Sequence, residues 1–283
     1  MSTGVSSGAG EGVSNCASNG VGTGVSAEAR PVVDADPGIA LLETRGISLA
    51  FGGVVAAESI DFKLRHGERL AVVGQNGAGK TTFINICTGH LAPTTGTVLL
   101  DGHDITGHSS RSITRLGVGR TFQLPQLFTE HTVRECLLLA ASSVKRRRGF
   151  WIPLEQAVNA DEVDGTLDLL QLSSRSRDLA GSLPGGQRKL LDVAMALVLR
   201  PKLMIMDEPT SGVSSDEKHE LMRVLMHALD ERKVTTIFVE HDIDIVKRYA
   251  TRLCAWIAGR IAADGPPDEV LADPVVIRHV IGE

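Results

Sequence analysis

The sequence is poor in aromatic residues and carries no excess of positive charge. Phe, Trp and Tyr together make up 4% of the 283 residues, which argues against the stacking platform of single-stranded nucleic-acid binders. Lys and Arg number 29 against 34 Asp and Glu, so the formal net charge is −5. A general basic footprint for DNA or RNA is therefore missing, and we expect no nucleic-acid partner.

Cysteine clusters and long apolar runs are also lacking. The four cysteines lie far apart without a CxxC pair, so the sequence predicts neither a disulfide framework nor a zinc knuckle. No apolar run approaches the roughly 18–20 residues that span a bilayer. The N-terminus lacks the basic start and the apolar stretch of a secretory signal. We expect the chain to stay inside the cell and to work at a membrane only through a partner that spans it.

Composition divides the chain into a tail and a domain. Residues 1–37 consist largely of Gly, Ser, Ala and Val, without an aromatic residue or a period. Such a segment buries too little apolar surface to offset its chain entropy, so we predict a disordered tail, with a recruitment arm as the alternative. Residues 38–283 carry the apolar runs of a folded domain and are numerous enough for one core.

Short apolar runs alternate with helical periodicity along this domain. Strands are predicted at 41–51, 58–64, 70–73, 97–100, 203–206 and 236–239, and helices at 81–90, 131–145, 155–172, 188–200 and 216–230. This alternation predicts an α/β fold with a mainly parallel sheet. Residues at about 125–186 are mostly helical and interrupt it, which predicts an inserted helical subdomain.

A glycine-rich segment lies between the predicted strand at 70–73 and the helix that follows it. The segment fits the pattern G-x-x-x-x-G-K-[ST] and reads Gly74, Gln75, Asn76, Gly77, Ala78, Gly79, Lys80, Thr81 and Thr82. Glycines allow the backbone to approach phosphate closely, so that N–H groups and the helix N-terminus face the anion. Lys80 is then expected to reach the β- and γ-phosphates of a nucleotide, and the Thr81 hydroxyl to bind Mg²⁺.

An acidic pair follows the predicted strand at 203–206. Asp207 and Glu208 come directly after this apolar run, and the carboxyl end of a parallel strand is where α/β proteins bind ligands. Asp207 is expected to hold Mg²⁺ through water, and Glu208 to polarise the attacking water as a general base. Acidic residues often do no more than end a strand, so the pair alone would predict little. It predicts a functional site here because a phosphate loop precedes it in the sequence.

A five-residue segment just before the predicted helix at 188–200 resembles the signature of the ABC-type ATPases, which other P-loop proteins lack. It reads Leu183, Pro184, Gly185, Gly186 and Gln187. The family's order of phosphate loop, glutamine loop, signature, acidic strand end and switch histidine is reproduced in this chain. The resemblance covers residues 39–283. It implies a P-loop (RecA-like) core, an antiparallel β subdomain and an inserted helical subdomain that carries the signature.

The resemblance assigns roles to further residues and names the substrate as ATP with Mg²⁺. Gln123 matches the glutamine loop that contacts Mg²⁺ and faces a membrane subunit. His241 matches the switch histidine that senses the γ-phosphate, and Phe51 falls where the family stacks an aromatic ring on adenine. Residues 184–187 would close over ATP bound to a second subunit.

Several segments are most similar to the ATPases of branched-chain amino-acid importers, with relatives for urea, short amides or aromatic acids looking alike. These segments are 120–123, the helical insert, 239–242 and 273–283. The likeness implies an ATP-hydrolysing subunit at the cytoplasmic face of the cell membrane, as a homodimer or as a heterodimer with a second ABC ATPase. Two permease subunits and a separate solute-binding protein would complete the importer and select the solute.

Two other functional classes stay open at this point. One is the ATPase of a lipid or lipopolysaccharide transport system, and the other is a soluble ATP-dependent clamp. Clamps usually carry long coiled coils or two ATPase units, and this sequence has neither. A non-hydrolysing regulatory module is disfavoured because the residues expected to act in hydrolysis are all present; they are Lys80, Gln123, Asp207, Glu208 and His241.

The chain departs from the family pattern at three positions. Pro184 replaces a serine whose hydroxyl contacts the γ-phosphate of the opposite subunit, so we expect a weaker site that still works through backbone N–H groups. Ser214 stands where the family usually has Asp, which affects communication across the dimer. Phe51 replaces the commoner tyrosine with little consequence, because stacking uses the face of the ring.

Overall fold

The computed structural model describes residues 39–143 and 159–281. The predicted tail at 1–37 lies outside these residues, as do parts of two predicted helices, at 144–145 and 155–158.

The strands of the described residues are numbered β1 to β10 along the chain. They are β1 Leu42–Phe51, β2 Val54–Leu64, β3 Arg69–Gly74, β4 Thr95–Leu100, β5 His103–Asp104, β6 Val118–Arg120, β7 Leu203–Asp207, β8 Thr235–Val239, β9 Arg252–Ile257 and β10 Arg260–Gly265. The helices, numbered in the same way, are α1 Lys80–Cys87, α2 Ser110–Arg115, α3 Val133–Ser142, α4 Ala160–Leu169, α5 Gly185–Leu197, α6 Ser215–Glu231, α7 Ile243–Tyr249, α8 Pro267–Leu271 and α9 Pro274–Val276. Two 3₁₀ turns, at 173–175 and 180–182, lie between α4 and α5, and a π-helical turn at 277–281 follows α9.

The described strands form two sheets. The first has the order β2-β1-β4-β5 and is antiparallel throughout. The second has the order β10-β9-β3-β8-β7-β6, with β3, β6, β7, β8 and β9 parallel and β10 antiparallel to β9. Val239 of β8 is in register with Val72 of β3 and with Asp207 of β7. The carboxyl ends of these three strands therefore meet at one edge, where α/β sheets bind ligands.

Both faces of the second sheet are buried, because side chains along its strands alternate between two apolar clusters. Leu70 and Val72 of β3 pack with α1 and the antiparallel sheet. Ala71 and Val73 pack on the other face, with helices α3 to α6. Continuous apolar runs such as 70–73 and 203–206 are what a parallel strand buried on both faces requires. Within the described residues, every helix is too short or too polar to cross a bilayer.

The predicted alternation of strands and helices and the mainly parallel sheet are present, but several boundaries differ. The helix predicted to run to about residue 90 ends at Cys87, because Gly89 takes a left-handed conformation (φ 70°) and a Cβ there would lie 2.3 Å from the His108 carbonyl oxygen. β2 begins at Val54 rather than at residue 58. It pairs with β1 up to the turn made by Gly52 and Gly53.

Helix α5 begins at Gly185, three residues before its predicted start. Two glycines in its first turn hide this start, since glycine is a poor helix former. Pro184 occupies the N-cap, and its carbonyl accepts the Arg188 N–H at 3.0 Å. The last three residues of the signature segment, 185–187, are thus in the first turn of α5. Between α4 and α5, the described backbone makes 3₁₀ turns rather than continuing the predicted helix at 155–172 beyond Leu169.

Candidate functional site

The predicted phosphate loop joins β3 to α1 at the carboxyl edge of the parallel sheet. Gly77 and Gly79 have φ values of 80° and 102°, a left-handed backbone that favours glycine. A Cβ at Gly79 would lie 2.2 Å from the Ala56 carbonyl oxygen, and one at Gly74 would lie 2.4 Å from the Trp256 carbonyl oxygen. A Cβ at Gly77 would meet no atom within 4 Å. The loop is therefore pressed against its neighbours on one side and open at Gly77.

Lys80 is the first residue of α1, and its side chain reaches back to the start of this loop. Its ammonium group donates to the carbonyl oxygens of Gly74 at 2.6 Å and of Gln75 at 3.0 Å, and the residue is 6% exposed. Burial lowers the pKa of Lys80, while the carboxylates of Glu208 and Asp207 act in the opposite direction. Both acceptors are neutral carbonyl oxygens. They hold the ammonium group in place but do not neutralise its positive charge.

The side chains of Gln123 and His241, which are distant in the sequence, meet at the carboxylate of Glu208. Its Oε2 accepts a hydrogen bond from the Gln123 side-chain amide at 2.7 Å, and its Oε1 lies 3.1 Å from Nε2 of His241. Glu208 itself has φ 49°, a left-handed conformation uncommon for residues with a Cβ. The carboxylate is thus held from both sides by polar side chains from two different loops.

Asp207, the last residue of β7, comes directly before Glu208. Burial raises the pKa of Asp207, and the nearby guanidinium of Arg120 is the main influence that lowers it. Arg120 donates to Asn85 Oδ1 at 2.7 Å and to Thr88 Oγ1 at 2.9 Å. A cation that also binds the C-terminal end of α1 therefore stabilises the charged form of Asp207.

Three polar residues near the site were not predicted from the sequence. Buried Glu240 accepts hydrogen bonds from the N–H of Thr210 at 2.9 Å and from its hydroxyl at 2.8 Å, which ties the segment after Glu208 to the segment before His241. Lys189 contacts the backbone of two site residues. Asp192 accepts the N–H of Phe122 at 3.4 Å, and burial raises the pKa of Asp192 to about 6.

The sequence does contain a pattern that marks Lys189 as unusual. This lysine stands at helical spacing from Val193 and Ala196, both of which are buried on the apolar face of α5. A charged residue on an apolar face of a helix indicates a buried partner. Asp192 likewise interrupts the apolar run at 190–199, whereas no comparable pattern marks Glu240.

Two predicted parts of the site do not join this group. Among residues 39–143 and 159–281, no hydrogen bond connects 184–187 to the phosphate loop. A Cβ at Gly185 or Gly186 would meet no atom within 4 Å. Phe51, at the end of β1, is 49% exposed. The first turn of α5 and the ring of Phe51 are therefore free to meet a molecule from outside the subunit.

Ser214, the departure from the family's usual Asp, is the N-cap residue of α6. Its hydroxyl donates to Glu217 Oε2 at 2.9 Å. Asp216 lies in the first turn of the same helix, where a negative charge interacts favourably with the helix dipole. Asp216 thus has a local role at the start of α6, while the Ser214 side chain caps no backbone N–H and binds only the Glu217 side chain.

The side chains at the sheet edge suit a magnesium ion shared with phosphate. Within the described part of the chain, no group of three or more His, Cys, Asp or Glu side chains has the arrangement of a metal site of its own. Mg²⁺ in nucleotide sites needs only one or two protein oxygens, because phosphates and water fill the other positions. The Asp207 carboxylate and the exposed Thr81 hydroxyl at the start of α1 are such oxygens.

Comparisons with known proteins agree with this arrangement. Residues 57–211 match the family model described as ABC transporter. The chain is 34% identical over 247 residues to a probable branched-chain amino acid transport ATP-binding protein, LivG, of Archaeoglobus fulgidus, covering 86% of this chain and 95% of that protein. It is 33% identical over 256 residues to the high-affinity branched-chain amino acid transport ATP-binding protein BraF of Pseudomonas aeruginosa, covering 86% and 98%.

Solved structures give the same result for the fold. The ADP conformation of MJ1267, an ATP-binding cassette of an ABC transporter, matches with a TM-score of 0.75 and 32% identity, covering 87% of this chain and all of that one. CbiO1 from Clostridium perfringens, part of the transporter complex cbiONQ, matches with a TM-score of 0.73 and 30% identity, covering 85% and 94%. The predicted fold, a P-loop core with an antiparallel β subdomain, is confirmed.

Proposed function

The chain belongs to the ABC transporter family, and on that premise we propose that it is the ATP-hydrolysing subunit of an importer for amino acids or related small organic solutes. The observation that carries the proposal is the meeting of Gln123 and His241 on the Glu208 carboxylate, at the sheet edge that also holds Lys80. The names of the relatives support the solute class.

Nucleotide binding would use the phosphate loop and the open space in front of it. Backbone N–H groups of 74–82 and the N-terminus of α1 face the phosphates, and Lys80 turns its ammonium from loop carbonyls to phosphate oxygens. Asp207 and Thr81 would hold Mg²⁺, which supplies charge to neutralise the phosphates. Phe51 is exposed enough to stack on adenine.

Hydrolysis would use Glu208 as a general base. The oxygen of a water molecule forms a bond to the γ-phosphorus, the bond from that phosphorus to the β–γ bridging oxygen breaks, and ADP leaves. Glu208 takes the proton of the water. Gln123 and His241 each occupy one lone pair of the carboxylate, which has about four, so they fix its direction and leave room for the water.

A second copy of this chain would complete the site. The first turn of α5 has open space around Gly185 and Gly186, and the N–H groups of a helix start bind anions. Closure of this turn over ATP bound to the partner copy would bury the γ-phosphate from both sides. Each cycle of closure and hydrolysis would then drive the transport step.

Two membrane permease subunits would bind the segment between β6 and α3, which includes Gln123. Three apolar side chains on this segment are exposed: Phe122 at 38%, Leu124 at 75% and Phe128 at 48%. Exposed apolar clusters of this kind mark interaction sites. The subunit would therefore work at the cytoplasmic face of the cell membrane, with a separate solute-binding protein delivering the solute.

Uptake measurements test the proposed solute class. Deletion of the gene in its host is expected to abolish high-affinity uptake of labelled leucine, isoleucine or valine, or of a related amide or aromatic acid in the same panel. Wild-type protein should restore uptake and Glu208→Gln should not. Unchanged uptake across the panel, together with altered membrane lipid or lipopolysaccharide, would favour the lipid-transport alternative instead.

Pro184→Ser is expected to raise the ATPase rate or ATP-driven pairing. Proline offers no side-chain acceptor at the N-cap of α5, whereas a serine hydroxyl there is worth about 0.5–2 kcal/mol as a cap. A hydrogen bond from it to a charged phosphate contributes about 1.5–3 kcal/mol. Phosphate release and light scattering measure the two effects. A substantial fall in both would contradict the interpretation of Pro184 as weakening the site.

A further inference from the structure

Lys189 makes contacts that none of the roles above explains. It lies in the second turn of α5, two residues after the end of the signature segment, and is 9% exposed. Its ammonium donates to the backbone carbonyl oxygen of Glu208 at 2.9 Å and of Gln123 at 3.3 Å. A buried lysine is costly unless its charge has partners. These two partners belong to the residues whose side chains meet in the site.

The backbone of Glu208 is held in an uncommon conformation. Its φ of 49° is left-handed, which residues with a Cβ adopt only when the surrounding structure imposes it. The Glu208 N–H donates to the Val239 carbonyl oxygen at 3.1 Å, and its own carbonyl oxygen accepts from Lys189. The same carbonyl oxygen also accepts the Ser211 N–H at 3.1 Å, so both sides of the residue are held. Together they direct the carboxylate towards Gln123 and His241.

The glutamine loop is held by the same helix at a second point. Asp192, three residues after Lys189 on α5, accepts the N–H of Phe122. Residues three apart lie on the same side of a helix, so Lys189 and Asp192 bind successive parts of one loop, the carbonyl of Gln123 and the N–H just before it. The loop that carries Gln123 is thereby tied to the helix that begins with the signature.

We propose that Lys189 is a positioning residue for ATP hydrolysis, which holds the backbones of Glu208 and Gln123 and so sets the direction of the Glu208 carboxylate. This rests on the proposed function. Because Lys189 is carried by α5, a shift of the signature turn against ATP of the partner copy is transmitted directly to Glu208, which takes the proton of the water, and to Gln123, which orients Glu208. Helix α5 thus couples closure of the site to the orientation of the Glu208 carboxylate.

Lys189→Met tests this role, since methionine keeps the apolar stem and removes the ammonium. We expect kcat for ATP hydrolysis to fall by about 10–100-fold, the range for supporting residues around a reacting group. The affinity for ATP should change less than about 3-fold, because Lys80 and the phosphate loop are untouched. The affinity is measured with a fluorescent nucleotide and the rate by phosphate release.

A double-mutant cycle separates positioning from a general loss of structure. In a Glu208→Gln background the same lysine substitution should lower the residual rate by less than about 3-fold, because the group through which Lys189 acts is already gone. Lys202→Met removes another lysine, beside the opposite end of β7, where it pairs with Asp101 at 2.6 Å. It should leave kcat and affinity unchanged.

The outcomes distinguish the two proposals. If wild type hydrolyses ATP and Lys189→Met has the same kcat, the role of Lys189 is overturned and the ATPase assignment stays intact. Equal losses in both backgrounds would also overturn it. A wild-type chain that releases no phosphate would refute both proposals. If Lys189→Met melts well below wild type, Lys189→Gln is used instead, because its side-chain amide keeps one donor group. Its kcat is expected to lie between those of wild type and Lys189→Met.

Discussion

Glu208→Gln is expected to slow ATP hydrolysis by about 10²–10⁴-fold, the usual cost of losing a general base. The amide has the size of the carboxylate and can still accept one hydrogen bond, but it cannot take a proton from water. Lys80, Thr81 and Asp207 are unchanged, so ATP and Mg²⁺ should still bind. Steady-state phosphate release gives the rate, and titration with a fluorescent nucleotide gives the affinity.

Glu220→Gln is the matched control for that substitution. Glu220 pairs with Arg223 on α6 at an exposed position, and its loss should change neither quantity. A Glu208→Gln chain that hydrolyses ATP within a few fold of wild type would show that another group takes the proton. The assignment of Glu208 as general base would then be wrong.

Lys80→Ala is expected to weaken ATP binding by at least about 100-fold. Two hydrogen bonds from the ammonium to phosphate oxygens, at about 1.5 kcal/mol each, account for a loss of that size. The fold should survive, because Lys80 donates to two loop carbonyls that water can reach once the side chain is gone. Removal of the partly desolvated Lys80 charge also offsets some of the stability lost with these two hydrogen bonds.

Thermal melting without nucleotide is the control for the Lys80 variant, and a midpoint within a few degrees of wild type is expected. Addition of Mg-ATP should raise the midpoint of wild type and not that of the variant, since a ligand stabilises only the state that it binds. Unchanged ATP affinity in the variant would remove the assignment of 74–82 as the phosphate loop.

Much of the fold follows from apolar runs and glycine positions. The run at 70–73 is long enough to be buried on both faces and is followed by a glycine, and the structure places it inside the second sheet, between β9 and β8. The helix after Lys80 and the acidic end of β7 follow from the same logic. These features are local, since each depends on residues adjacent in the chain.

The contacts that orient the site could not be predicted in the same way. Lys189 binds backbone carbonyls of residues 66 and 19 positions away, and a backbone carbonyl leaves no trace in the sequence. The left-handed turn at Glu208 is imposed by its neighbours and opposes the preference of the residue itself. The early start of α5 was hidden because Gly185 and Gly186 suit an anion site better than a helix.

In the proposed mechanism, a second copy of the chain supplies the signature turn to the phosphate loop. Gly185 has open space around a Cβ, so Gly185→Glu should leave the subunit folded while blocking closure by size and negative charge. Size-exclusion chromatography with light scattering on Glu208→Gln, at saturating Mg-ATP, is the most direct measurement. We predict a dimer for Glu208→Gln and a monomer for Glu208→Gln combined with Gly185→Glu. A monomer of Glu208→Gln with ATP bound would contradict a site shared between two copies.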